Sequence, residues 1–286
     1  MIFKEKIQVS SRSEPSCAPL PDTPAAASAP AADVETASER YQQRFKGETG
    51  AWFLQEQARH LLALLDPWPG ARILDVGGGH GQYTERLVQQ GYDVTVLGST
   101  PQAGEQVESL VASGQCRYRV GNLTDFPVTD NSYDIVISFR LMTHSEDWRR
   151  LVGETARVAR HAVILDFPVI DSFNLLYPVL FWAKRIGEKN TTRTFRIFKT
   201  RDVVAEYGKT GFMPTACRRQ FFFPMVLHRV LRVSTVSMKV ETVCRRLGLT
   251  RIFGSPVILR LESTPRDQAP ACGKDKEASV CPSSLP

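Results

Sequence analysis

The 286-residue chain lacks the features that would tie it to a metal, an oxidising compartment or a membrane interior. Its six cysteines are Cys17, Cys116, Cys217, Cys244, Cys272 and Cys281; they form no C-x-x-C pair and keep no metal-ligand spacing with the five histidines. A reduced, cytoplasmic setting without a metal centre is expected. There is no run of about 18 or more apolar residues, so no transmembrane helix is expected. Lys4 and Lys6 precede no long apolar segment, which argues against a secretory signal. Charge is not scarce, but its balance is uneven: the net charge is +6, which permits contact with an anionic surface without requiring it.

Pro, Ala and Ser dominate from about residue 10 to 33, and a similar composition returns from 264 to 286. Such segments bury too little to fold. The expected organisation is therefore a disordered N-terminal tail (1–36), one folded domain (37–263) and a C-terminal tail (264–286). Inside the domain, apolar spacing predicts a helix over 51–65, ended by Pro67 and Pro69-Gly70. Strands are expected at 72–76, 92–97, 116–120, 133–138 and 162–165, alternating with helices at 83–90, 102–112 and 146–158. Strand-helix alternation implies a mostly parallel sheet covered on both faces. The final part departs from it: a helix at 200–207 capped by Thr200, a strand at 214–223, a basic apolar helical piece at 225–247 and a last strand at 257–261.

Ligands of such sheets lie beyond the carboxyl ends of the strands. Asp75-Val76-Gly77-Gly78-Gly79-His80-Gly81-Gln82-Tyr83 runs from the first strand through a glycine turn into a helix. Glycines free the backbone for positive φ and close approach, and a helix N-terminus presents N–H groups to a ligand. The dinucleotide fingerprint G-x-G-x-x-G fails here, because Gln82 or Thr84 stands where the third glycine belongs. An NAD-dependent oxidoreductase is accordingly disfavoured.

The pattern Asp75-x-Gly77-x-Gly79-x-Gly81 resembles motif I of the class I S-adenosylmethionine (SAM)-dependent methyltransferases, of the methyltransferase type 11 kind. The resemblance covers roughly residues 41–261. It implies a Rossmann-like seven-stranded, mostly parallel sheet with helices on both faces and a terminal antiparallel pair of strands. Helical cap insertions are expected near 168–199 and 225–253. It implies SAM as cofactor, held at its amino-acid end by Asp75, Gly77, Gly78, Gly79, Gly81 and Tyr83. The acidic residue that binds the ribose in this family should stand at Gly98, and it is missing; Ser99 or Thr100 could substitute in part. Gly121-Asn122-Leu123-Thr124-Asp125-Phe126-Pro127 is similar to the family's adenine segment, with Asn122 accepting from the amino group and the Leu123 N–H meeting the ring.

For the chemistry, His144 is the first candidate base, because its ordinary pKa is near neutral. Asp166, at the end of the fifth strand, is the second. Aromatic clusters at 173–182 and 220–229 lie where the family builds substrate caps. Basic residues outnumber acidic ones about threefold from 184 to 262. These features suit a small, lipophilic acceptor, methylated at O or C and approached from an anionic membrane surface. Nucleic acid is a weaker partner, since there is no N/D-P-P-Y/F motif and the basic residues are interleaved with apolar ones. The rival reading is a non-catalytic lipid-binding or scaffold protein on the same fold, which the absent acid at Gly98 favours.

Overall fold

A computed structural model describes residues 32–37, 39–170, 196–225, 227–228 and 234–264. Seven strands form one sheet: β1 (Arg72–Val76), β2 (Asp93–Gly98), β3 (Arg117–Val120), β4 (Tyr133–Ser138), β5 (Ala159–Phe167), β6 (Phe212–Phe221) and β7 (Ser255–Ser263). Their order is β3-β2-β1-β4-β5-β7-β6. The first five pair in parallel, while β7 lies between β5 and β6 and is antiparallel to both. This is the seven-stranded Rossmann-like sheet expected from the sequence, with its terminal antiparallel strands.

The period-two alternation of the strands builds two apolar layers. Ile73, Val94, Val96, Ile135, Ile137 and Ile164 face a layer that includes Leu61, Leu64 and Leu65 of helix α3 (Gly47–Leu65). Leu74, Val76, Val136 and Leu165 face the opposite layer, with Trp148, Leu151 and Val152 of helix α6 (Trp148–Val158). Because β1 and β4 are covered on both faces, their carboxyl ends are fixed rigidly at the centre of the sheet.

Several boundaries depart from expectation for physical reasons. The expected tail over 1–36 ends early, because Ala32–Ala37 forms a helix, α1, followed by α2 (Glu39–Gln42). Residues 1–31 and 265–286, expected as tails, lie outside the described residues. After α4 (Thr84–Gln89), the single helix expected over 102–112 is a 3-10 turn (Pro101–Val107) and a short α5 (Glu108–Ala112). The tighter winding brings the Ala103 carbonyl against the glycine loop and seats Gly104 on the Tyr118 ring. Thr200 is the first residue of α7 (Thr200–Gly208) and not its cap; Lys199 precedes it in extended conformation. Of the basic apolar piece expected over 225–247, residues 226 and 229–233 lie outside the described residues and the later part forms α8 (Ser234–Arg246); Gly248, with φ of +75°, separates it from α9 (Leu249–Phe253).

The aromatic cluster at 173–182 lies outside the described residues. Farther along the chain Phe198 is buried, packs edge-on against Trp148 and Phe167, and bridges to Val169. The second cluster is partly core: Phe221 is buried against Trp52 and Phe53.

Candidate active site

The glycine loop leaves β1 at Val76. Gly77 and Gly81 have φ of +74° and +66°, the left-handed region that glycine adopts without strain. Gly78 and Gly79 are needed for room. A Cβ on Gly78 would stand 2.0 Å from the Asp75 carboxylate carbon, and one on Gly79 would stand 1.7 Å from the Ala103 carbonyl oxygen. Asp75 therefore lies directly beneath the loop.

This end of the cleft holds buried polar atoms with no hydrogen-bond partner among the described residues: both Asp75 carboxylate oxygens, His80 Nε2 and the Thr84 hydroxyl. Burial pushes the Asp75 pKa up to about 7, opposed by the neighbouring Thr84 hydroxyl, which lies near the carboxylate but outside hydrogen-bond geometry, and by the Arg140 charge. His80 Nδ1 accepts from the Gln82 N–H at 3.3 Å, which assigns the ring proton to Nε2. Burial, and then Arg140, hold this imidazole well below its ordinary pKa, so it stays neutral. Native proteins rarely leave such groups unpaired, because each costs about 1–3 kcal/mol.

Beside the loop sits a polar network that was not legible as a site. Arg140 follows β4 with φ of +62°, unusual for a non-glycine residue and costing about 1–2 kcal/mol. That conformation aims its backbone N–H at Asp166 Oδ1, 2.5 Å away. Its guanidinium is buried and donates to Gln57 Oε1 at 2.9 Å, to the Tyr83 hydroxyl and to Gln82 Oε1. It also lies 4.2 Å over the Phe45 ring. Tyr83 in turn donates to Gln57 Oε1, and Gln57 Nε2 donates to Asp166 Oδ2 at 3.0 Å. Burial raises the Asp166 pKa to about 6, opposed by Arg140 and Gln57. Among the described residues no carboxylate is in hydrogen-bond contact with the Arg140 guanidinium; Asp166, held on the Arg140 backbone N–H, acts on it through its charge alone.

The second end of the cleft, beyond β2 and β3, is organised differently. Gly98 ends β2, and a Cβ there would stand 1.9 Å from the Tyr118 hydroxyl oxygen. That hydroxyl donates to the Thr100 carbonyl at 2.6 Å. Ser99 is bound by the Asp33 carboxylate of α1, through its N–H at 2.7 Å and its hydroxyl at 2.6 Å. Asn122 is exposed, and its side-chain oxygen accepts from the Thr124 N–H and hydroxyl, both at 2.9 Å; Leu123 beside it is buried.

His144 ends a 3-10 turn (Met142–His144) after β4 and is half-buried, with the Tyr41 ring edge-on at 6.3 Å. The structure thus brings Asp75, Gly77, Gly78, Gly79, Gly81 and Tyr83 together at one end of the cleft, and Gly98, Ser99, Asn122 and Leu123 at the strand ends beyond it. The residues missed were Gln57, Gln82, Arg140 and Asp33. Only Arg140 carried a local signal, as a lone cation closing an apolar strand. Among the described residues no group of His, Cys, Asp and Glu could hold a metal ion, and no helix is long and apolar enough to cross a membrane.

Residues 74–165 match a family described as "Methyltransferase domain". An O-methyltransferase of the fungus Pyrenophora dematioidea is 27% identical over 163 residues, 50% of this chain and 61% of its own. An uncharacterized methyltransferase of Mycobacterium bovis is 30% identical over 122 residues, covering 43% and 47% of the two chains. This chain therefore spans about half to three-fifths of the length of those relatives. Among solved structures, the magnesium protoporphyrin IX methyltransferase of Synechocystis PCC 6803 with bound S-adenosylhomocysteine (SAH) superposes with a TM-score of 0.55. It is 18% identical, with 79% of this chain and 94% of the other covered, a likeness of fold. With motif, sheet order and sequence match in agreement, the chain carries a class I SAM-dependent methyltransferase domain, and SAM is the cofactor such a domain takes.

Proposed function

We propose that this protein transfers the methyl group of SAM to an oxygen or carbon of a small, lipophilic acceptor. The observation that carries this reading is the Asp75 carboxylate, buried under Gly78 with both oxygens unpartnered. An uncompensated buried acid is costly, and a ligand ammonium group would satisfy it. Arg140, a buried cation without a carboxylate on its guanidinium, complements the ligand's carboxylate in the same way. Together they match the two charges of an amino-acid end, while the glycines let the ligand lie against main chain. The residues present therefore fit SAM. At the other end, the Leu123 N–H is the candidate contact to the adenine ring. Asn122 reaches the adenine amino group only by sharing an oxygen already used by Thr124.

Bound SAM supplies an electrophilic sulfonium methyl group. The chain's part is to align the acceptor, exclude water and remove a proton where the acceptor is a hydroxyl. His144, half-buried at the carboxyl end of β4, is the candidate base. Asp166 has both oxygens engaged, which suits a positioning part: it orients Gln57 and the Arg140 backbone.

The lipophilic acceptor is supported by the surface of α8 and α9. Val236, Met238, Val240, Val243, Leu247, Ile252 and Phe253 are exposed there. The one acid of this stretch, Glu241, is buried; Lys239, Arg245, Arg246 and Arg251 are exposed, Arg245 being paired with Glu56 of α3 at 3.1 Å. An apolar face in which cations outnumber acids is suited to a peripheral anionic lipid surface. Co-sedimentation with phosphatidylglycerol vesicles should be seen, and should fall with Val243→Asp/Leu247→Asp; equal binding by both proteins would remove the membrane from the reading.

Calorimetric titration with SAM, SAH and NADH tests the central claim. Binding of both adenosyl ligands and not NADH is expected, followed by methyl transfer in a screen of quinols, phenols and lipids. No binding at millimolar SAM would favour the second reading, a non-catalytic lipid-binding or scaffold protein. That reading draws on Gly98, where Tyr118 fills the room an acid would need.

A further inference from the structure

We infer that Asp33, on the N-terminal helix α1, supplies the ribose-binding carboxylate that β2 lacks. The inference rests on the methyltransferase reading above and names the residue that completes its nucleoside site. Three observations converge on it. First, the Tyr118 hydroxyl already occupies the place where a side chain at position 98 would begin: a Cβ there would stand 1.9 Å from it, and the same ring closes on Gly104. Second, a different carboxylate is fixed at the same strand end. Asp33 is buried, yet among the described residues it meets no cation in hydrogen-bond contact; there its carboxylate accepts from the N–H and hydroxyl of Ser99, the residue after Gly98. Third, those two bonds use one acceptor site on each oxygen. A carboxylate has about four such sites, so two remain for a pair of hydroxyl donors, the number a ribose diol presents.

A plain packing explanation accounts for α1 less well. Burying an acid against a neutral serine is an expensive way to dock a helix, since desolvating an ion without a counter-charge is unfavourable. A hydroxyl pair offered to that carboxylate turns the cost into charge-assisted hydrogen bonds. Tyr118 marks the same environment: burial and then the Asp33 charge push its phenol pKa up to about 12. Because Asp33 arrives on a helix that precedes the domain's core, the ribose contact is made by a separate segment folding over the strand ends. Residues 32–37 belong to the binding site and not to a functionless tail.

The test separates this claim from its parent. SAH and 2′,3′-dideoxy-SAH are titrated calorimetrically into the wild type and into Asp33→Asn, with denaturation midpoints of both proteins as a check on folding. For SAH, Asp33→Asn should weaken binding about 10- to 100-fold, the worth of hydrogen bonds to a charged partner. For the dideoxy ligand, wild type and variant should bind alike, because the diol is already gone. Equal weakening for both ligands, or no weakening for either, would overturn the inference while leaving the methyltransferase reading intact. Failure of the wild type to bind SAH at all would overturn both.

Discussion

The two ends of the cleft solve the problem of buried polarity in opposite ways. At the glycine loop, Asp75, His80 and Thr84 are buried with unpartnered atoms, and the Arg140 guanidinium is hydrogen-bonded to the neutral Gln57, Gln82 and Tyr83. At the ends of β2 and β3, polar groups are bonded to one another: Asp33 to Ser99, Tyr118 to Thr100, Asn122 to Thr124. The first end is built for a ligand that brings its own charges. The second presents neutral or already engaged groups, which suits the hydroxyls and ring of a nucleoside. Charge complementarity at one end and shape with shared hydrogen bonds at the other predict unequal energetic weights.

The comparison breaks most severely at the loop itself. Gly81→Asp places a side chain where φ is +66° and where even a Cβ stands 3.0 Å from the Gln106 carbonyl oxygen. It should abolish SAH binding in calorimetry; retained binding would mean that the cofactor lies elsewhere. Arg140→Met should come next. Loss of the cation should weaken SAH about 100-fold, the scale of a charge-assisted contact, while adenosine binds as before. Equal loss for both ligands would show that Arg140 shapes the whole cleft and does not serve one end.

Asp75→Asn should weaken SAM less, about tenfold, with a distinctive pH signature. The folded pKa is raised from 3.8 to about 7, so between those values the folded protein holds more protons than the unfolded one. Asp75 therefore makes its fullest contribution to stability below pH 4, and this is lost as pH rises toward 7. A ligand ammonium reverses the preference by favouring the ionised acid. SAM binding near pH 6.5 should thus release protons, seen as a dependence of the calorimetric heat on buffer ionisation enthalpy. Asp75→Asn should lose that release and the accompanying slope of stability with pH. The smallest effect belongs to the second end: Asn122→Ala should weaken adenosine only about two- to fivefold, because its oxygen already serves Thr124. A loss above tenfold would mean that Asn122 turns fully to the adenine on binding.

Local order made much of this legible. Alternating apolar residues in β1, β4 and β5 set the sheet, and the crowded glycines after Asp75 marked its ligand end. These signals survive in one dimension because they depend on neighbours a few residues apart. Boundaries shifted where distant contacts intervened. The turn at Pro101–Val107 tightens to meet Gly79 and Tyr118, and β5 runs longer than its apolar stretch because it pairs on both sides. The network around Arg140 was hidden for the same reason.

By itself, then, the sequence determined the class of fold, the position of the glycine loop, the acid beneath it and the gap at Gly98. Tertiary structure alone decided what fills that gap and what surrounds Asp166. Ser99 meets a carboxylate 66 residues away, and Asp166 an amide 109 residues away. Contacts at such separations follow from how α1 and α3 pack over the strand ends. No periodicity or spacing along the chain encodes that packing, which depends on the whole set of buried surfaces being satisfied together.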